Sequence, residues 1–90
     1  MDLRKIKMDL TIALMNNADG FNHLGLAREV VSGYEEVGQF NGVTFTGESE
    51  LDHEHTQTNY ALEFDNCTVD VQMIANRSSN TSFINGFSVR

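Results

Sequence analysis

Proline and tryptophan are absent from the 90 residues, and cysteine occurs once, at Cys67. A lone cysteine excludes an intramolecular disulfide, so packing must hold the fold, and it points to a reducing compartment, the cytoplasm. A chain of this length makes one small domain and buries only about 60–65% of its unfolded surface. No apolar run approaches the roughly 18 residues that a membrane span needs. Arg4, Lys5 and Lys7 precede an apolar stretch as they would in a secretion signal, but Asp9 interrupts it and no small-residue cleavage site follows. Basic residues are also missing from the middle of the chain. Between Arg28 and Arg77 there is no Lys or Arg, whereas Glu29 to Asn76 carries ten carboxylates within a net charge of −7. Phosphates need cations opposite them, so this region is unsuited to direct contact with nucleic acid.

The clearest periodic segment is Asn22 to Val37. At helical spacing Leu24, Leu26, Ala27, Val30, Val31, Tyr34 and Val37 share one arc, with Arg28, Glu29, Ser32, Glu35 and Glu36 opposite. Asn22 can cap the first turn, Phe21 can pack on Leu26 as a staple, and Gly38 can end the helix. Residues 1–17 fit two patterns. As a strand, Ile6, Met8, Leu10, Ile12 and Leu14 face one way. As a helix, Leu3, Ile6, Leu10, Ala13 and Leu14 form a seam, and Met-Asp-Leu recurs after seven residues. The strand reading is preferred, because the helix would expose Met8, Ile12 and Met15 and set its cations at the unfavourable end of the dipole. Asn16 to Gly20 is a turn in either case.

Beyond the helix the pattern is that of strands. Asn41-Gly42 marks a turn, after which Val43, Phe45, Gly47, Ser49 and Leu51 alternate with Thr44, Thr46, Glu48, Glu50 and Asp52. Asp52 to Gln57 reads as a hairpin end, and the returning strand aligns Tyr60, Leu62 and Phe64. A two-residue turn at Asp65-Asn66 sets Phe64 across from Cys67, and the apolar face continues through Val69, Val71 and Met73. Asn76 to Ser82 is a loop, followed by a last strand with Phe83, Phe87 and Val89. The expected fold is α+β, with one amphipathic helix (about 22–37) on a four- to five-stranded antiparallel meander. The alternative has two helices on four strands.

This parity gathers the apolar residues under the helix and Glu48, Glu50, Asp52, Glu63 and Asp70 on the opposite, open face, with Glu54 and Asp65 at the turns. Alternate strand residues lie about 6.6 Å apart, so these groups form rows of negative charge. Like charges directly opposed are destabilising by up to about 1 kcal/mol a pair. Such a face suits a basic protein cleft of the kind that holds a nucleic acid backbone, though acidic residues also serve solubility. His53 and His55 beside Asp52 and Glu54 are metal-like in type but lack a further ligand, and no metal or cofactor is expected. Cys67 faces inward and reads as core rather than nucleophile. Gly20 to Gly25 lacks the Lys-Ser/Thr of a phosphate loop.

In size and charge alone the chain resembles the small acidic inhibitors encoded by phages and mobile elements, which block CRISPR, restriction or other nucleic-acid machines. That resemblance implies a non-enzymatic inhibitor of a basic, nucleic-acid-handling protein. Glu48, Glu50, Asp52, Glu54, Glu63, Asp65 and Asp70 are the partner-binding candidates read from the strand pattern. An immunity protein for a nuclease toxin is a variant of the same idea. The alternative is an assembly protein that self-associates through the edges of its sheet, expected to be the N-terminal and last strands.

Overall fold

A computed structural model describes residues 2–15 and 23–90, the side chain of Met15 excepted. The expected turn at Asn16 to Gly20, the Asn22 cap and the Phe21 staple lie outside these residues. Two helices, α1 (Leu3–Met15) and α2 (His23–Ser32), precede four strands: β1 (Phe40–Glu50), β2 (His55–Phe64), β3 (Thr68–Asn76) and β4 (Thr81–Val89). The strands form one antiparallel meander in the order β1-β2-β3-β4, with both helices packed on one face. This is the two-helix form of the expected α+β fold.

Residues 3–15 are helical, against the preferred strand reading. Ile6 and Leu10 are fully buried, while Met8 and Ile12 stay 63% and 53% exposed. A strand would have put all four on one side. The spacing of four between the two buried residues fits a single helical face. Asp2 caps the helix, its Oδ1 accepting the N–H groups of Arg4 and Lys5 at 3.1 and 3.3 Å. That cap supplies acceptors for two otherwise orphaned donors and sets a carboxylate against the positive end of the dipole.

α2 is shorter than expected, ending at Ser32 rather than Val37. A turn at Gly33-Tyr34 leads into a single 3-10 turn, Glu35–Val37, which Gly38 closes. The apolar arc survives this break. Ala27, Val31 and Val37 are buried, and Leu24, Val30 and Tyr34 pack against the same core. Tyr34 also ties this break to α1 by donating its hydroxyl to Asp9. The helices close over Leu62, Phe64, Cys67, Val69 and Val71, with Phe87 and Val89 at the margin.

Asn41-Gly42 does not reverse the chain. It lies inside β1 as a bulge: Phe40 pairs with Phe64 and Gly42 with Glu63, so Asn41 is the extra residue. Gly42 supplies the backbone angle, φ 143°, that side chains avoid. A second bulge leaves Thr46 unpaired between Phe45↔Tyr60 and Gly47↔Asn59. A third, in β4, leaves Asn85 unpaired between Ile84↔Met73 and Gly86↔Gln72. Each bulge flips the parity of the strand residues beyond it. Past Thr46, Glu48 and Glu50 pair with Thr58 and Thr56 and share the helix-bearing side with Val43, Phe45 and Leu62. In β4 the same device puts Ile84 toward the helices and Phe83 on the open side.

The Asp65-Asn66 hairpin forms as expected, with the Phe64 N–H donating to the Cys67 carbonyl at 2.9 Å. It also anchors the start of β1. Asp65 Oδ2 accepts the Gln39 N–H at 2.8 Å, Oδ1 accepts Asn41 Nδ2 at 3.0 Å, and the Asn66 N–H and side-chain amide donate to the carbonyls of Val37 and Glu36. Gly38 lies directly beneath, at φ 80° and ψ −157°, where a Cβ would sit 2.6 Å from that of Asp65. This backbone region is essentially closed to other residues, at a cost of about 1–3 kcal/mol. Gly38→Ala should therefore lower unfolding stability by at least that amount, read from the urea midpoint, while Gly33→Ala, free of such a φ, should cost less.

Candidate functional site

The seven candidate carboxylates do not share one face. Glu63 and Asp70 lie on the open side of the sheet, as expected, in register with Thr68, Ala61 and Ser88. Glu48 and Glu50 are on the helix-bearing side because of the Thr46 bulge, which corrects the expected single acidic face. Asp52 and Glu54 stand in the loop between β1 and β2, and Asp65 is at the opposite end of the molecule, in the β2–β3 turn. The structure thus brings together Glu48, Glu50, Asp52 and Glu54 at one hairpin end, and Glu63 with Asp70 at mid-sheet.

Several of these groups are committed to the fold. Asp52 Oδ1 accepts the N–H groups of Glu54 and His55 at 2.8 and 2.9 Å and contacts His55 Nδ1 at 2.9 Å. The Glu54 N–H, followed by the His55 side chain, holds the Asp52 carboxyl below its ordinary range. The Gln39 N–H, then the Asn41 amide, do the same for Asp65. Asp70 is held by Arg90, with Nε 2.6 Å from Oδ2 and Nη2 3.3 Å from Oδ1, and this contact raises the guanidinium pKa. Glu63 accepts the Thr44 hydroxyl at 2.9 Å. The open face is consequently less acidic than its sequence implies, and its other positions are largely Thr, Asn, Gln and Ser around the buried Ala61 and Ile74.

The hairpin end keeps more of its charge. Glu48 and Glu54 are exposed, and Glu50 faces Arg77 at 3.7 Å, a loose and solvated pair worth little. Arg77 also donates from Nη2 to Thr56 Oγ1 at 2.9 Å and from its backbone N–H to the Glu54 carbonyl at 2.7 Å. Sequence reasoning missed Arg77 and Arg90 as counter-ions because each is distant along the chain. The antiparallel β3–β4 register, which sets residue 90 beside residue 68, is the signal that could have located Arg90.

His55 and Cys67 are placed as fold residues. His55 Nδ1 meets Asp52, and its Nε2 lies 3.3 Å from Asn76 Nδ2. Among the described residues no three His, Cys, Asp or Glu side chains converge as a metal site would require. Cys67 is a free, buried thiol whose pKa burial pushes up, away from the reactive thiolate. Among the described residues no helix is long and apolar enough to cross a membrane. Comparison with protein-family models, with curated proteins and with solved structures gives no match.

The two depressed carboxyls fix a pH dependence. A group whose folded pKa lies below its unfolded value, about 3.9 for Asp, contributes stability above that value and loses it as pH falls through the folded one. Thermal melts should hold steady down to about pH 4 and then decline. Asp52→Asn and Asp65→Asn should each be less stable at neutral pH and show a shallower acid decline; an unchanged acid limb in both would refute the assignment.

Proposed function

We propose that this chain is a non-enzymatic binding protein that inhibits a basic, nucleic-acid-handling protein, and that the β1–β2 hairpin end makes the contact. The observation that carries the reading is the concentration of Glu48, Glu50, Asp52 and Glu54 within seven positions, opposed by Arg77. On a hairpin, such groups offer Arg and Lys side chains several acceptors at spacings comparable to those of a phosphate backbone. The net charge of −7 adds long-range attraction to a cationic cleft and repulsion from nucleic acid itself. Binding rather than catalysis fits the way the reactive groups are used, since Cys67 is in the core and His55 is tied to Asp52.

Relative to the expected site, the proposed surface loses Asp65 and Asp70, whose carboxylates are occupied by the turn and by Arg90. Glu63 lies apart from the hairpin end. Asp52 contributes charge but also holds the loop, so it is the wrong residue to reverse. An immunity protein for a nuclease toxin would work by the same contact, and the identity of the captured partner separates the two.

The test is capture of nucleic-acid-binding proteins on the immobilised chain at low salt, with elution by salt and by duplex DNA. Glu50→Lys combined with Glu54→Lys should cut retention about tenfold or more, because each reversal replaces an attraction to the cationic cleft by a like-charge repulsion, which slows encounter and penalises the docked state. The melting temperature should stay near that of the parent. Retention indifferent to the double reversal, to salt and to competing duplex would sink the proposal.

A further inference from the structure

The helices do not reach across the whole sheet. The core residues of the helix-bearing face come chiefly from β2, β3 and β4, and among the described residues Phe40 alone of β1 packs against them. Val43 and Phe45, on the same face, remain 49% and 56% exposed. Phe45 has an edge-to-face contact with Tyr60, its ring centroid 6.1 Å away. β1 is also a sheet edge of eleven residues, and among the described residues nothing hydrogen-bonds to its outer side. It carries neither Pro nor Lys, two residues that commonly guard exposed edges.

What β1 does carry is two bulges, at Asn41 and Thr46. A bulged edge is a poor template for a regular strand, since each extra residue throws the next side chains to the wrong face. It is a good template for a strand whose bulges are complementary. We propose that β1 pairs antiparallel with β1 of a second copy about a two-fold axis at Thr44, joining the two four-stranded sheets into one.

The register about Thr44 satisfies the strand in three respects. Face parity is kept throughout, because the extra residue Asn41 falls opposite Gly47 of the second copy and Thr46 opposite Gly42. The glycines leave room beside each bulge. Apolar residues meet, Val43 against Phe45 in both directions, an aromatic–β-branched pair on the helix-bearing side. Charges meet their opposites: Glu48 falls in the row of Phe40, over whose ring the Arg28 guanidinium sits 4.1 Å from the centroid. A two-fold axis makes each match twice, as in an isologous dimer. The loops with Asp52 and Glu54 lie outside the paired segment at opposite ends and stay open to the proposed partner in the dimer, whereas Glu48 is shared between the two contacts.

Sedimentation equilibrium of the full chain over a wide concentration range should show a reversible monomer–dimer equilibrium. Phe45→Lys should weaken it about tenfold or more, the scale of an aromatic anchor, with the far-ultraviolet spectrum and the melt of the dilute monomer preserved. Arg28→Glu should weaken it as well, and adding Glu48→Arg to that variant should restore it. Amide exchange at Val43–Phe45 should slow as concentration rises. A chain monomeric at all concentrations, a dimer indifferent to Phe45→Lys, a charge swap that fails to restore association, or protection at β4 instead of β1 would each overturn the proposal.

Discussion

Thirteen residues of α1 and ten of α2 shield one face of a four-stranded sheet, and the rest of the structure depends on where that shield ends. Ile6, Leu10, Ala27 and Val31 bury against Leu62, Val69 and Val71 with almost no residual exposure. Each larger aliphatic side chain so buried contributes about 1.5–3 kcal/mol before the entropy of ordering is counted. In a domain this small there is little else to draw on. The short α2 and its following 3-10 turn reach Phe40 but leave Val43 and Phe45 open. The corner from Val37 to Asn41 is then fixed by backbone and side-chain hydrogen bonds to Asp65 and Asn66 rather than by more apolar burial.

How much of this was legible depends on which signals are local. β2 and β3 were readable because their alternation is unbroken and a two-residue turn joins them, so Phe64–Cys67 pairing could be derived from spacing alone. β1 and β4 were not, because a bulge is one residue long and leaves no mark on composition. Thr46 and Asn85 look like ordinary strand residues, yet each inverts the side assigned to its neighbours. Asn41-Gly42 did leave a mark, but the same dipeptide serves a chain reversal and a bulge, since both require the unusual backbone angle of Gly42. For residues 3–15 the buried pair Ile6 and Leu10 fits either period, four being both even and close to one helical turn. Only Met8 and Ile12 decide the matter, and their side-chain chemistry favours the wrong answer. Asp2, a good N-cap residue, was the overlooked clue.

Charge was legible as an amount but not as an arrangement. The carboxylate count of the central segment is correct, but hairpin geometry imports Arg77 and Arg90 from beyond it. Asp52 and Asp65 sit at turns, where a carboxylate that accepts backbone N–H groups does the work of a fastener. A row of acids in a strand sequence therefore overstates the charge available to a partner, by the number of acids that the fold itself employs.

The Thr46 bulge connects the two surfaces of interest. By inverting parity it moves Glu48 and Glu50 to the side that also bears Val43 and Phe45, leaving Gly47 and Ser49 on the open side. Without it, β1 would present a conventional edge with acids on one face and apolar residues on the other, and any extended strand could match it. With it, β1 carries an irregular sequence of faces that few strands reproduce, and whose reverse complement is β1 itself. Edge strands are usually made safe by charge or by proline. Here irregularity would serve that end, restricting pairing to one partner rather than forbidding it, while the hairpin beyond Glu50 is left to carry its charge into solvent.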